Sequence, residues 1–355
     1  MRKELLLLGA FGMLTTATLC AQEFHLQPTP QEYITQKDSV DIPRQYQILS
    51  GNSVQDGPAL PLLRSLMPEE VLGASFRVYI GVKGDKIIKK YQHRIPRKSE
   101  GYFLKIEKDC IVIAGADERG AYYGVQTLAQ LLALDKLPLA EVTDYPDVPY
   151  RGVVEGFYGA PWSQEACIRQ LDFYGRNKMN VYIYGPKDDP YHRTPNWRKP
   201  YPAREGEELK VLVNRAKENN VIFYWAIHPG QDIRWNEEDR SLLLQKFESM
   251  YQLGVRGFAV FFDDISGEGT KADKQAELLN YIDDHFVKVK RDVAPLILCP
   301  TEYNKSWTDV EGGYLTTLGD KLNEGIKVMW TGDMVVATID KSTLCLLYTS
   351  PSPRD

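Results

Sequence analysis

Six short apolar runs in the second half of the chain constrain its fold more than any other feature. They are RGVVEGFYG, MNVYIYGP, VIFYWAIHPG, GFAVFFDD, LILCPTEY and IKVMWTGD, and helix-patterned stretches separate the first five. SQEACIRQLDFYGRN places Ser163 as an N-cap, and EELKVLVNRAKENN carries Leu209, Leu212, Val213 and Ala216 on one face. NEEDRSLLLQKFESMYQLG opens acidic and stops at Gly254, and KADKQAELLNYIDDHFVKVK groups Leu278, Leu279, Ile282 and Phe286. Strands and helices alternating at this spacing imply right-handed crossovers and a parallel sheet. Two architectures satisfy that pattern, an eight-stranded barrel and a doubly wound sheet. The second usually carries a Gly-rich first turn that is missing here, so a TIM-barrel α/β domain is expected.

A barrel puts its chemistry where strands end, and all six ends are chemically loaded. They finish in Glu155 to Tyr158, Tyr184 to Lys187, Trp225 to His228, Asp263-Asp264, Cys299 to Tyr303 and Trp330 to Asp333. His228 reads as a structural strand-end histidine. Three aspartate pairs compete for attention. Asp283 and Asp284 lie in a helical pattern and read as a solvated face. Asp188 and Asp189 sit in GPKDDPYHR, a turn held by hydrogen bonds, with a metal site of Asp188, Asp189 and His192 as the competing idea. Asp263 and Asp264 differ because FAVFF precedes them and SGEG follows. A buried strand has no packing use for two carboxylates at its end, whereas a capping or loop-bracing pair is the plain alternative. Neighbouring strand residues point to opposite faces, so a bend is needed to aim both at one ligand. Placed so, each carboxylate would raise the other's pKa and the two would separate into an anion and a neutral acid.

Ahead of the barrel, residues 22–147 read as a small α+β domain. GYFLKIEKDCIVIAGA forms two strands around a Lys-Asp turn, and Val125, Leu128, Leu131 and Leu132 form a helical stripe. YPDVPYRG supplies the boundary. The 355 residues, 43% of them hydrophobic, can fill two ordinary cores, and a net charge of -5 with dispersed basic residues excludes a nucleic-acid footprint. The one basic excess, KGDKIIKKYQHRIPRK, reads as a solvated face or hairpin. Residues 1–21, with a basic start and apolar centre, read as a secretory signal cut after Ala21, so the protein is expected to be exported; Leu19 argues against a lipid anchor on Cys20. Cys110, Cys167, Cys299 and Cys345 are scattered without metal-type spacing and read as buried thiols.

RGVVEGFYGAPWS, YIYGPKDDPYHR, WAIHPGQDI, FAVFFDDISGEGT and CPTEYN, in this order, resemble the catalytic domain of glycoside hydrolase family 84, the O-GlcNAcase family. ADERGAYYGVQTLAQLL resembles the small domain that precedes the barrel in that family and in related hexosaminidases. The resemblance runs from about residue 24 to about residue 335. It implies a retaining exo-β-N-acetylglucosaminidase that uses the substrate's own 2-acetamido group as nucleophile and needs neither cofactor nor metal. By the same resemblance Asp263 would orient the acetamido group and Asp264 would act as acid, then base. The Gly156 carbonyl and Lys187 would contact sugar hydroxyls, and Tyr303 would bond the acetamido carbonyl. Tyr158 and Thr331 would line the pocket, with Cys299 beneath the acetyl methyl. Partners would be N-acetylglucosamine-containing glycans or glycoproteins. A closed barrel needs eight strands, so residues 148–340 read as an incomplete barrel and 341–355, ending LLYTSPSPRD, as a non-native or disordered tail. An inactive fragment, a glycan-binding module and another hexosaminidase- or hyaluronidase-type glycosidase are the alternative readings.

Overall fold

The computed structural model describes residues 25–67, 69–308 and 313–338; the expected leader and tail, with Cys20 and Cys345, lie outside the described residues. The first sheet is built from β1 (Glu32–Val40), β2 (Gln47–Ser50), β3 (Arg77–Val82), β4 (Tyr102–Ile106), β5 (Cys110–Gly115) and β6 (Leu137–Asp144), in the spatial order β1-β6-β4-β5-β3-β2. β4 and β5 form the expected antiparallel hairpin, while β2, β3 and β5 run parallel. Helices α1 (Ala59–Leu66) and α2 (Glu118–Leu132) cover one face, burying Leu60, Leu63, Val125, Leu128 and Leu131 against Val78, Ile80, Leu104 and Ile113. Leu132 is only half-buried. The basic run expected to be a solvated face or hairpin is instead a 3-10 segment, Lys86–Arg94, whose Ile88 packs on Phe103 and Val112 of the other face. The lysines stay in water while one isoleucine anchors the segment.

The second sheet contains β7 (Gly152–Glu155), β8 (Val181–Tyr184), β9 (Ile222–Ile227), β10 (Gly257–Phe261), β11 (Ile297–Cys299) and β12 (Lys327–Val328), parallel throughout and adjacent in chain order. Between them lie α3 (Gln164–Arg176), α4 (Ala203–Glu218), α5 (Glu237–Gln252), α6 (Ala272–Ile282) and α7 (Tyr314–Lys321). Alternation along the strands sorts their side chains into two layers. Phe223, Trp225, Phe258, Val260 and Leu298 pack under Leu171, Leu209, Phe247, Leu279 and Leu318 of the five helices. Ile183, Tyr224, Ala226, Ala259, Phe261, Ile297 and Cys299 form a second cluster with no helical member. A doubly wound sheet would bury both faces under helices, so the curled sheet is the barrel architecture, represented by six strands among the described residues.

The caps follow the sequence reading: Ser163 Oγ accepts from the Ala166 amide at 3.2 Å, and Gly254, with φ +102°, follows α5. Asp283 departs from it. The chain after α6 widens into a π-turn, Asp283–Val287, which leaves Asp283 buried and bonded to Asn323 and Lys288, while Asp284 faces solvent. Between the two sheets lies a polar seam. Lys178 Nζ donates to Asp144 Oδ2 and to the Tyr102 hydroxyl, each at 2.8 Å, and Glu100 accepts from Arg151 at 2.6 Å and Asn180 at 3.0 Å.

Candidate active site

β10 lies between β9 and β11, and all five of its residues are buried, so the chain leaves the middle of the sheet at Phe262 with no freedom to turn early. The Phe262 amide is still laddered to the Cys299 carbonyl at 2.9 Å. Asp263 follows, half-buried; Asp264 is exposed. The bend between them is a backbone one: Asp264 has φ +55°, in the left-handed region that aspartate tolerates better than most residues. That turn lets two consecutive side chains face one opening.

Lys187, at the end of β8 and 1% exposed, donates through Nζ to Asp263 Oδ2 at 2.6 Å. His228, at the end of β9, places Nε2 2.6 Å from the Asp263 carbonyl oxygen and 3.4 Å from Oδ1. Burial pushes the Asp263 carboxyl up, but the His228 ring beside it and the Lys187 ammonium bonded to it outweigh that and hold the group at about 2. The expected mutual elevation of two adjacent acids therefore does not govern Asp263, because its carboxylate is bonded to the Lys187 cation. Oδ1 is buried and has no hydrogen-bond partner among the described residues. Asp264 Oδ2 accepts from the Tyr158 hydroxyl at 3.1 Å, and burial followed by the charge of Asp264 raises that phenol above its ordinary value.

Lys187, Tyr158, Asp263 and Asp264 are thus joined by direct bonds. Cys299 ends β11 beside them, its thiol pushed well up by burial and then by Asp263. Tyr303 is raised to about 12 by burial and both aspartates, and its ring packs edge-on against Trp307 at 4.8 Å. Thr331 reaches the site through the backbone, its amide donating to the Tyr303 carbonyl at 2.9 Å. Gly156 touches neither carboxylate; a Cβ there would lie 3.8 Å from the Phe261 ring, so its missing side chain leaves the rim open. Arg193, in the GPKDDPYHR turn expected to be held by hydrogen bonds, donates to the Lys187 carbonyl at 2.9 Å and lies 6.0 Å from the Tyr158 ring. Its proximity to YHR's other members was visible; its target was not.

Asp189 accepts from the Tyr184 and Tyr201 hydroxyls at 3.0 and 2.8 Å and from the Tyr191 amide at 2.7 Å, which makes it the turn-holding residue first expected. With those oxygens committed, the Asp188-Asp189-His192 metal idea loses its central ligand. Among the described residues, metal-ligand spacing occurs at Glu107, Asp109 and Cys110, in the β4–β5 hairpin away from this opening.

Paired carboxylates at the carboxyl end of a barrel strand, one held ionised by a buried cation and one facing solvent, place the molecule in the class of barrel-fold glycoside hydrolases. Comparison with known proteins narrows the class. Residues 151–349 match the family described as beta-N-acetylglucosaminidase, and residues 23–145 match glycosyl hydrolase family 20, domain 2. The chain belongs to the β-N-acetylglucosaminidase family, glycoside hydrolase family 84. The Protein O-GlcNAcase of Rattus norvegicus is 37% identical over 195 residues, which covers 52% of this chain and 21% of that protein. The solved structure of CpGH84B superposes with a TM-score of 0.82 at 36% identity, covering 89% of this chain and 57% of that one. That of CpGH84D gives the same TM-score at 28% identity, covering 91% and 58%. The chain therefore spans about a fifth of the rat relative and under two thirds of either solved structure. No helix among the described residues is long and apolar enough to cross a membrane.

Proposed function

We propose that the protein hydrolyses terminal β-linked N-acetylglucosamine with retention, through participation of the substrate's 2-acetamido group. The observation that carries this reading is Asp263 Oδ1, a buried oxygen of an ionised carboxylate with no partner among the described residues. Leaving such an acceptor unpaired costs about 1–3 kcal/mol, which a donor on a ligand would offset. An acetamido N–H is that donor. Bonded to Asp263, the amide turns its carbonyl oxygen towards C1, and the carboxylate stabilises the positive charge that develops on the N–C–O unit as that oxygen attacks.

In the first step the acetamido oxygen forms a bond to C1 while the C1–O bond to the leaving group breaks. Asp264 gives its proton to the departing oxygen, and an oxazoline-type ring remains, its charge facing Asp263 and Lys187-bound Oδ2. In the second step Asp264 takes a proton from water, the water oxygen bonds to C1, and the ring opens to restore the acetamide. Two inversions at C1 give net retention. Tyr303, with its proton held firmly, donates to the acetamido oxygen, and the hydroxyl of Tyr158 helps aim Asp264. Cys299 floors the acetyl methyl, and Gly156, Lys187 and Thr331 border the sugar. The substrates are N-acetylglucosamine-bearing glycans or glycoproteins, and the basic, then apolar start of residues 1–21 supports export.

The test uses aryl β-N-acetylglucosaminides of graded leaving-group ability. Asp264→Asn is expected to lose about 100-fold or more in kcat/KM where the leaving oxygen needs a proton, and under about tenfold where it does not. Asp263→Asn is expected to lose activity on both. An Asp264→Asn enzyme equally impaired on every leaving group would remove the acid assignment.

A further inference from the structure

His228 follows β9 directly, and its amide continues the ladder by donating to the His192 carbonyl at 2.7 Å. Its side chain is 1% exposed. Nε2 lies 2.6 Å from the carbonyl oxygen of Asp263, an atom that can only accept, so Nε2 carries the ring proton. Nδ1 is then a bare lone pair, buried and without a partner among the described residues. The His192 ring, fully buried and likewise unpartnered at both nitrogens, lies 6.5 Å away. A histidine kept only for packing would be better replaced by an apolar ring that leaves no nitrogen unsatisfied. What distinguishes this one is its target: the carbonyl it grips belongs to the peptide that joins Asp263 to left-handed Asp264.

We propose that His228 is a positioning residue for the paired carboxylates, its Nε2–H clamping the Asp263–Asp264 peptide so that Asp264 keeps its left-handed turn and Asp263 Oδ1 faces the ligand. The inference rests on the roles given above to Asp263 and Asp264. Loss of the clamp frees the peptide to rotate, and a displacement near 1 Å at such a site costs about 100-fold in rate. Fold stability should move little, because removing the ring relieves the unsatisfied Nδ1 while it unpairs one carbonyl.

The test compares the full chain with His228→Phe, which keeps the bulk and loses the donor, and His228→Gln, whose amide N–H reaches about as far as Nε2–H. The readouts are thermal unfolding, kcat and KM on an aryl β-N-acetylglucosaminide, and titration of the Asp263 carboxyl by carbon NMR. His228→Phe should lower kcat about 100-fold with KM within about threefold, and His228→Gln should recover to within about tenfold of the parent. The Asp263 midpoint, about 2 in the parent, should rise in His228→Phe and stay low in His228→Gln. An unchanged midpoint in His228→Phe overturns the clamp whether or not the chain turns over. An inactive parent that titrates as expected counts against the proposed hydrolysis and leaves the clamp standing. If His228→Phe does not fold, the nitrogen-15 shifts of the parent histidine decide, since an Nδ1–H tautomer is incompatible with the bond to Asp263.

Discussion

Replacing Lys187 by Met removes the cation that holds Asp263 ionised, at nearly constant volume. At 2.6 Å and an effective dielectric near 20, the pair attracts by about 6 kcal/mol, part of which only offsets the desolvation of two buried charges. Removing one partner leaves the other uncompensated, so the expected loss is about 3–5 kcal/mol, or about 5–10 °C in melting temperature. The pH dependence follows from the depressed carboxyl. Its folded pKa of about 2 against an ordinary 3.8 makes Asp263 worth about 2 kcal/mol of stability, present above pH 4 and lost as pH falls towards 2. In Lys187→Met that depression shrinks, so Asp263 takes up its proton at higher pH than in the parent. The gap between parent and variant is then widest at pH 7 and narrows below about pH 4. Thermal unfolding at pH 7, 5 and 3, with Asp263→Asn and the double variant completing a cycle, measures both quantities. A gap constant from pH 7 to pH 3, or a cycle additive within about 0.5 kcal/mol, would refute the pairing argument.

Two further outcomes concern the seam between the sheets. Lys178→Met leaves Asp144 buried without its cation and should destabilise by about 3–5 kcal/mol, with faster proteolysis in residues 145–150 as the readout. Gly175→Ala puts a Cβ 2.5 Å from Asn219 Oδ1 and 2.7 Å from the Tyr122 hydroxyl, and should cost about 1–3 kcal/mol in chemical denaturation. A Gly175→Ala protein as stable as the parent would mean that this contact yields without strain.

The central strands of the barrel were legible because β9 and β10 are buried on both faces, so FAVFF and VIFYWAI read as unbroken apolar runs, and Ser163 announced its helix by local capping chemistry alone. The carboxylate pair was legible by contrast with those runs. The partners were not. Lys187 meets Asp263 across 76 residues, and the choice of Asp263 over adjacent Asp188 depends on sheet register that no local pattern encodes. The bond from the strand-end His228 to the Asp263 carbonyl was hidden for the same reason, because the acceptor lies one strand away. Asp283 was misjudged because a π-turn rotates it off the helical face on which 3.6-residue periodicity would place it. The six strands of the second sheet were legible, whereas only β4 and β5 of the first were; which charges would meet was settled only by the packing.

The left-handed backbone at Asp264 also bears on how such a site can change over generations. Aspartate and glutamate are one nucleotide apart, so glutamate is among the commonest substitutions mutation offers at position 264. The short aspartate side chain tolerates φ +55°, whereas glutamate would bear the full strain there, about 1 kcal/mol or more, and would also carry its acid one methylene past the Tyr158 hydroxyl. An Asp-Glu pair at this strand end is therefore separated from Asp-Asp by a backbone rearrangement as well as a codon. A lineage moving from one pair to the other would have to rebuild the turn first, and intermediates that change the side chain alone should be rare among functional descendants.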